Sequence, residues 1–348
     1  MSFNVLILGA SYGSLLSTKL LMAGHNSTLV CLPEEADLIN KEGTTVRITR
    51  RGAPAPDLLH SSELPGTVKG ITPELADPNE YDLIGFAVQE PQFRAPPVWD
   101  LLKKIAISGK PCLSIMNMPP LAYLKRISGL DTEPLRSSYT EPRVWDEFDP
   151  DNITLCSPDP QAFRPPEEKL NFLHVGLPTN FKAAAFAKSE HNEILTQLAG
   201  DIVEARFNGN EIPVKLKVHD SLFIPMAKWS MLLTGNYRAI TEGGPRSIKE
   251  AVHTDFALSE EIYTWVDQVV RAMGANPGDQ VPFEKYANAA NSLLKPSSAA
   301  RAVYAGAVFI ERVDKLVQTI AKGLGMTHPV IDNNVKLVDS KLTKNCQS

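Results

Sequence analysis

The hydrophobic pattern of this 348-residue chain changes character near residue 214. Before that point, short apolar runs alternate with segments whose apolar residues recur at helical spacing. Short apolar runs bounded by turn residues are typical of strands that are buried on both faces of a parallel sheet. We therefore predict strands at residues 5–8, 28–31, 45–49, 81–88, 111–117, 153–156 and 172–175, and helices at 15–23, 36–41, 99–107 and 190–205.

After residue 214 the helical spacing dominates, and it predicts helices at 222–237, 247–252, 259–273 and 299–324. Ser259 is a good helix start and Gly274 a good stop. The fold class that follows is an α/β N-terminal Rossmann-like doubly wound domain plus an all-α C-terminal domain. We place the dinucleotide-binding Rossmann-like domain at residues 1–213 and the α-helical substrate and dimerisation domain at 214–348.

The segment between residues 119 and 213 is rich in proline and less regular. We interpret it as a continuation of the first domain by extra strands. Its long loop at 157–168 is expected to cover the substrate cleft.

The first strand leads into a turn of small residues, Gly9-Ala10-Ser11-Tyr12-Gly13-Ser14. In a βαβ unit such a turn lets the backbone approach a pyrophosphate, which the free N–H groups of the next helix can bind. The usual pattern is G-x-G-x-x-G, whereas this turn is G-x-x-x-G, with Ser11 near the position of the second glycine. A βαβ unit with a purely structural turn is the plainer interpretation.

The same letters also spell G-x-S-x-G, which is the nucleophile elbow of α/β-hydrolases. That elbow normally follows several strands, whereas only four residues precede the first strand here. A hydrolase also needs a downstream acid and histidine, and the late candidates His253 and His328 lie in or just after predicted helices. We therefore favour dinucleotide binding, and we interpret these two histidines and His219 as structural or surface residues.

Composition excludes several classes of function. The net charge is −5, the pI is about 5.9, and no run of Lys and Arg is longer than Arg50-Arg51. Nucleic acid and anionic membrane surfaces are therefore not expected as partners. No apolar stretch is long enough to span a membrane, and the first strand begins where a signal peptide would lie. The four cysteines are scattered without a C-x-x-C pair, so we expect a cytoplasmic protein without disulfides or metal.

Polar residues follow two of the predicted strands. Gln89 and Glu90 come after the strand at 81–88, and Asn117 ends the strand at 111–117. Ligands of doubly wound sheets lie at the carboxyl ends of the strands. We therefore expect these side chains near a ligand.

Several segments resemble the ketopantoate reductase family, within the 6-phosphogluconate-dehydrogenase-like oxidoreductases. The opening ILGASYGSLLSTKLLMAGHNSTLV and the segment YDLIGFAVQEPQ are similar to the strands and turns that flank the cofactor in that family. LSIMNMPP is similar to the strand that ends in the active-site asparagine. IPMAKWSMLLTGNYRAIT resembles the helix of the catalytic lysine, and residues 297–330 resemble the terminal helix of the family.

The resemblance implies a role for each matching residue. Lys228 would be the general acid, Glu311 the partner that orients the lysine or the substrate hydroxyl, and Asn117 a polar group near the nicotinamide. Asn236 and Ser298 would hold the substrate carboxylate or hydroxyl. The residues expected to bind the cofactor are Gly9, Ala10, Ser11, Tyr12, Gly13, Ser14 and Gln89.

These residue types suit the reduction of a ketone, which needs a hydride at carbon and a proton at oxygen. A cationic lysine can polarise the carbonyl and protonate it, and a nearby glutamate keeps the lysine charged. Lys228 and Asn236 lie two helical turns apart, roughly 12 Å. The plainer interpretations are a snorkelling surface lysine at 228, an i,i+4 pair of Glu311 with Lys315 on a solvated helix face, and a turn former at Asn117.

The chain departs from the family pattern at several positions. Leu232 replaces an asparagine one turn after the lysine, and Gln89-Glu90 replaces a lysine near the cofactor phosphate. The second strand is followed by Cys31-Leu32-Pro33, which supplies neither the arginine that binds a 2′-phosphate nor the acid that binds a 2′-hydroxyl. Arg50 and Arg51 could supply such an arginine. The resemblance implies NADP, and the residues leave NAD open.

The leading hypothesis is an NAD(P)-dependent oxidoreductase of the ketopantoate-reductase type, which interconverts a 2-oxo acid and a 2-hydroxy acid or a related carbonyl and alcohol. An opine-type dehydrogenase is the second enzyme hypothesis. A nucleotide-binding sensor without catalysis is the third. The resemblance also implies a homodimer.

Overall fold

The computed structural model describes residues 2–347, and the chain divides into two compact units. The first unit comprises residues 1–88, 92–126 and 143–220. The second comprises residues 89–91, 127–142 and 221–348. The main passage from one unit to the other lies at Asp220, a few residues after the domain boundary that we predict at 213.

The first unit contains twelve strands in two sheets. The strands are β1 (Asn4–Leu8), β2 (Asn26–Val30), β3 (Thr45–Ile48), β4 (Asp57–His60), β5 (Val68–Ile71), β6 (Leu83–Phe86), β7 (Cys112–Ile115), β8 (Ile153–Ser157), β9 (Gln161–Phe163), β10 (Phe172–Leu177), β11 (Phe181–Ala184) and β12 (Leu216–His219). The larger sheet has the order β12-β11-β8-β7-β6-β1-β2-β5, and it is parallel except for the pair β8–β11.

Five helices belong to the first unit: α1 (Ala10–Met22), α2 (Pro33–Glu42), α3 (Pro96–Ser108), α4 (Leu121–Leu124) and α5 (Ser189–Glu204). They alternate with the strands at the N-terminus, as expected for a doubly wound sheet. The predicted Rossmann-like fold class is thus confirmed, and each predicted strand and helix of this unit is present with ends that shift by a few residues.

A second sheet was not predicted from the sequence. It has the order β4-β3-β10-β9 and packs against α1. The predicted strand at 45–49 forms β3 in this sheet rather than in the main one. Buried side chains of the second sheet, such as Val46, Ile48 and Leu173, form one core with α1 and the main sheet.

The second unit is helical, as predicted. Its helices are α6 (Lys228–Met231), α7 (Ile248–His253), α8 (Phe256–Ala272), α9 (Phe283–Ala290), α10 (Ser298–Tyr304), α11 (Val313–Gly323) and α12 (Pro329–Gln347). Ser247 begins α7 with a capping box to Glu250. Gly274 follows α8 with φ +118°, so the predicted stop is confirmed, while Asp255 rather than Ser259 caps the start of this helix.

Two predicted helices are broken. The segment 222–237 consists of a 3₁₀ turn (Ile224–Ala227), α6 and a π-helical turn (Leu232–Asn236). The segment 299–324 is not one helix, because α10 ends at Tyr304 and α11 begins at Val313. Gly306 has φ +89° in the irregular stretch between them, a conformation that interrupts a right-handed helix.

Candidate functional site

The turn after β1 depends on Gly9. This residue has φ +99° and caps the N-terminus of α1, and its N–H donates to the Val30 carbonyl of β2 at 2.9 Å. A Cβ atom at this position would lie 2.7 Å from Val88 Cγ1 and 2.8 Å from the Ala87 carbonyl oxygen. A side chain here would therefore be strained in the backbone and would also collide with the segment that follows β6.

Gly13 serves a different purpose, which is close packing of α1 on β1. A Cβ atom there would lie 2.6 Å from Ile7 Cγ2. In the dinucleotide-binding pattern, the first glycine makes the tight turn and the third allows close contact of helix and strand. Gly9 and Gly13 meet these two requirements, although the spacing of the motif is altered.

The remaining residues of the turn differ in their surroundings. Ser11 is exposed in the first turn of α1, where backbone N–H groups have no partner within the helix. Ser14 is buried, and its hydroxyl donates to the Ala10 carbonyl. Ser11 is therefore the turn residue whose side chain faces solvent, whereas Ser14 stabilises the helix itself.

Tyr12 attaches the turn to a distant part of the same unit. Its hydroxyl donates to the Pro160 carbonyl at 2.7 Å, and its ring packs edge-on against Phe181. Burial raises the pKa of Tyr12 well above its usual value, and the charges of Cys156 and Asp159 raise it further. Tyr12 thus fixes the segment between β8 and β9 at the N-terminal end of α1.

The turn lies at the point where the strand order reverses. β1 is flanked by β2 on one side and by β6 on the other, so the connections leave β1 in opposite directions. Crevices of this kind are the usual ligand-binding position in open α/β sheets. Asn117 is half-buried just beyond β7, the neighbour of β6, which agrees with the predicted position at a strand end.

The two polar residues after β6 are placed differently. Gln89 is exposed, whereas Glu90 is buried and accepts hydrogen bonds from the Thr140 N–H and hydroxyl, both at 2.8 Å. Burial raises the pKa of Glu90, and the hydrogen bonds from Thr140 oppose that change. The Glu90 carboxylate therefore fixes the backbone at Thr140.

In the second unit, Lys228 is half-buried between the buried Ala227 and Trp229. The π-helical turn begins directly after α6 and ends at Asn236, which is half-buried. π-Helical turns are rare and frequently lie at functional sites. The Asn236 amide makes no side-chain hydrogen bond to any residue in the range 2–347, so it can still bind a ligand.

The side chain of Tyr237, the residue after Asn236, is hydrogen-bonded to the backbone around Glu311. The Tyr237 hydroxyl donates to the Glu311 carbonyl at 2.5 Å and accepts from the Val313 N–H at 3.0 Å. Burial raises the pKa of Tyr237 well above its usual value, with further contributions from Asp314 and Glu311. The sequence analysis did not single out Tyr237, and a buried tyrosine beside a candidate residue carries no distinctive sequence signal.

Ser298, the serine predicted to bind substrate, is not the serine that contacts Asn236. Ser298 is exposed at the first position of α10, whereas its neighbour Ser297 is buried. Ser297 Oγ donates to the Asn236 carbonyl at 2.7 Å and caps α10 by accepting from the Ala300 N–H. Ser297 is thus the serine that contacts the residue predicted to bind substrate.

Glu311 does not lie on a helix face. It precedes α11 in the irregular stretch after α10 and is half-buried. The interpretation as an i,i+4 pair with Lys315 on a solvated helix is therefore wrong, because residue 311 is not helical. The following residue, Arg312, forms a buried ion pair with Asp314 at 2.9 Å that anchors this stretch.

The histidines have structural partners. His253 Nε2 contacts the Ala287 carbonyl at 3.0 Å, and His328 lies 3.3 Å from Glu261. The Ser11 hydroxyl, which would be the hydrolase nucleophile, contacts no histidine within residues 2–347. Over the same range, no group of His, Cys, Asp and Glu side chains is arranged to hold a metal ion. The helices described here also include none with the length and apolarity of a membrane span.

No family model and no curated protein sequence matches the chain. Solved structures do match it over almost its whole length. A protein from Ralstonia solanacearum MolK2 assigned as a ketopantoate reductase is 17% identical with a TM-score of 0.68, and the match covers 99% of each chain. 2-Dehydropantoate 2-reductase from Methylococcus capsulatus is 12% identical with a TM-score of 0.64, covering 99% of this chain and 98% of the other.

D-Mandelate dehydrogenase, solved in a ternary structure with NADH and anilino(oxo)acetate, is 13% identical with a TM-score of 0.65, and the match covers 99% of each chain. Identities this low establish the fold. The resemblance seen in the sequence is confirmed at that level: this chain has the fold that ketopantoate reductases share with D-mandelate dehydrogenase.

Proposed function

We propose that this protein is an NAD(P)-dependent oxidoreductase that transfers hydride between a nicotinamide and a 2-oxo acid, its 2-hydroxy acid, or a related carbonyl and alcohol. The geometry of Gly9 is the observation that carries the proposal. This residue makes the tight turn, with φ +99°, that leads from β1 into the N-terminus of α1 at the strand-order reversal, and the segment after β6 packs against it so closely that no other residue fits. A tight glycine turn followed by the free N–H groups of a helix N-terminus suits a pyrophosphate.

The residues of the first unit fit a dinucleotide. The turn Gly9–Ser14 would hold its pyrophosphate through backbone N–H groups, and Asn117 would lie toward the nicotinamide half. When bound, the nicotinamide supplies or accepts the hydride. Among the solved structures with this fold, D-mandelate dehydrogenase is described with NADH and a 2-oxo acid derivative. That description supports both the cofactor class and the substrate class proposed here.

The residues of the second unit supply the proton chemistry. Lys228 would protonate the carbonyl oxygen during reduction and accept the proton in the reverse direction. Glu311 would keep the Lys228 ammonium charged and oriented. Asn236 and Ser298 would donate hydrogen bonds to the substrate carboxylate. Tyr237 would help to position Glu311, because its hydroxyl donates a hydrogen bond to the Glu311 main-chain carbonyl.

A Lys228→Ala variant tests this assignment. We expect turnover with 2-oxo acids to fall by at least about 100-fold, which is the lower end for general acid–base catalysis. The affinity for NADH and NADPH, measured by fluorescence titration, should remain within a factor of about two of the wild type. Lys249→Ala changes an exposed lysine of the same unit and should keep full turnover.

The outcomes separate the candidate functions. If wild-type protein binds neither nucleotide, both dehydrogenase hypotheses are refuted. Binding of a nucleotide without turnover of any 2-oxo acid or imine would favour the non-catalytic sensor. Turnover of imines formed from a 2-oxo acid and an amine, but not of free 2-oxo acids, would favour the opine-type dehydrogenase.

Assembly as a homodimer is part of the same proposal. A ketopantoate reductase from Staphylococcus aureus with this fold is described as dimeric, at 13% identity and a TM-score of 0.63. Light scattering on the purified chain should give twice the monomer mass of 38.1 kDa. A monomeric mass at micromolar concentration would contradict this part of the proposal.

A further inference from the structure

The carboxyl end of β2 lies beside the glycine turn. β1 and β2 are parallel neighbours, and the Gly9 N–H donates to the Val30 carbonyl at the end of β2. In doubly wound folds, the ribose of a bound adenosine half lies over the end of the second strand. The first turn of α2, which begins at Pro33, is therefore where this chain would contact the ribose 2′ position.

An ion pair lies in this first turn of α2. Glu35, in the first turn of α2, is 9% exposed, and its Oε1 atom accepts from Arg164 Nη2. Arg164 follows β9 directly, so it reaches this position from a distant part of the sequence. Within residues 2–347, Glu35 is the partner of the Arg164 guanidinium, and the Arg164 Nε atom is buried without a hydrogen-bond partner.

Cys31, the residue directly after β2, is influenced by the charges of both Glu35 and Arg164. Burial raises the pKa of the Cys31 thiol to about 12. The Glu35 carboxylate adds to that rise, and the Arg164 guanidinium opposes it. Both charges thus act on the residue that follows β2, and Glu35 stands about twenty residues after the glycine turn, the interval typical of the acid that binds a ribose 2′-hydroxyl.

The charges favour a neutral group at this place. Glu34, Glu35 and Arg164 together carry one negative charge, and the Glu35 Oε2 atom has no hydrogen-bond partner among the described residues. A ribose 2′-hydroxyl can donate to that oxygen. A 2′-phosphate would face the carboxylate of Glu35, and it could use Arg164 only by displacing that carboxylate.

Arg50, in the turn after β3, is not available to bind a 2′-phosphate. Arg50 Nε and Nη2 bind Asp57 at 2.6 and 3.2 Å across the β3–β4 pair, and Nη1 binds Asn210 at 3.2 Å. Its guanidinium is engaged within the second sheet and the segment after α5. Of the two arginines that the sequence suggested for a 2′-phosphate, Arg50 is thus already bound elsewhere.

We propose that Glu35, oriented by Arg164, accepts a hydrogen bond from the adenosine ribose 2′-hydroxyl, and that this chain binds NADH in preference to NADPH. The inference rests on the proposed dinucleotide function and specifies the cofactor at the same site. Glu35 is the specificity-determining residue, and Arg164 is its positioning residue. The NADP preference implied by the family resemblance is replaced by NAD for this chain.

Fluorescence titration of the full chain with NADH and with NADPH tests the proposal. In the wild type, we expect Kd for NADPH to exceed Kd for NADH by at least tenfold. Glu35→Gln removes the negative charge and should reduce that ratio at least tenfold, mainly by improving NADPH binding. Glu34→Gln removes the same charge from the exposed neighbouring residue and should leave the ratio within twofold of the wild type.

Competition by 5′-AMP and by 2′,5′-ADP isolates the 2′ position from the nicotinamide. Wild-type protein should prefer 5′-AMP, and Glu35→Gln should lose that preference. A wild-type preference for NADPH, or an equal effect of Glu34→Gln and Glu35→Gln, would overturn the assignment of Glu35 while leaving the dehydrogenase proposal intact. Failure to bind either dinucleotide would overturn both.

Discussion

Lys19 places an ammonium group inside the core of the first unit. It lies on α1 with 2% of its surface exposed, and its Nζ atom donates to the Ile212 and Pro213 carbonyls at 2.9 and 3.2 Å. Burial lowers the pKa of Lys19 from its usual 10.5 to about 8. Lys19 should therefore make its own contribution to the pH dependence of the stability of this unit.

The sign follows from proton linkage. Between pH 8 and 10.5, the folded state binds fewer protons at Lys19 than the unfolded state does, so the free energy of unfolding rises with pH. Lowering the pKa of Lys19 from 10.5 to about 8 corresponds to roughly 3 kcal/mol in full. Of this, roughly 2 kcal/mol should be recovered between pH 7 and pH 9.5.

Urea unfolding of the wild type and of Lys19→Met at pH 7 and pH 9.5 measures this difference. The gain in unfolding free energy on raising the pH should be roughly 2 kcal/mol larger in the wild type. Loss of the two hydrogen bonds in Lys19→Met affects both pH values equally, so it cancels. Lys104→Met removes an exposed lysine of α3 and should keep the wild-type pH dependence.

The reasoning is refuted if wild type and Lys19→Met respond equally to pH. The other titratable groups are common to both proteins and cannot produce a difference between them. An equal response would mean that Lys19 keeps its ordinary pKa in the folded state despite its burial.

Three further changes test the contacts around the candidate site. Gly9→Ala should weaken binding of NADH at least tenfold in a fluorescence titration, because the new Cβ strains the turn. Tyr237→Phe should reduce turnover more than it weakens nucleotide binding, since Glu311 loses its positioning contact, and it should cost about 1–3 kcal/mol in urea unfolding. Arg312→Met leaves the buried Asp314 carboxylate without its partner and should cost about 3–5 kcal/mol by the same measurement.

The predictable strands were those with a continuous apolar run. β1, β6 and β7 are buried along their whole length or nearly so, and their sequences show it. β9 has three residues, none of them buried, and β4 has one buried residue of four. Such short edge strands carry no periodic signal, because their backbone pairing rather than their side chains holds them in the sheet.

The predicted helix at 299–324, which the structure breaks into α10 and α11, shows a second limit of the sequence pattern. Apolar residues on both sides of Gly306 continue the helical spacing, so the pattern predicted one helix through Glu311. The local backbone at Gly306 and the hydrogen bonds of Tyr237 to Glu311 and Val313 replace helical bonds there. Those bonds join residues more than seventy positions apart, which periodicity within a short window does not detect.

By itself, the sequence determined the parallel sheet with its alternating helices, the glycine turn after β1 and the helical character of the second unit. Each of these depends on side-chain spacing and backbone freedom over a few residues, which the sequence displays directly. Only the tertiary structure decided that Arg164 reaches Glu35, that Tyr237 holds Glu311, and that Ser297 rather than Ser298 contacts Asn236. These pairs are brought together by the path of the chain, so their charges and hydrogen bonds appear only once the core has set that path.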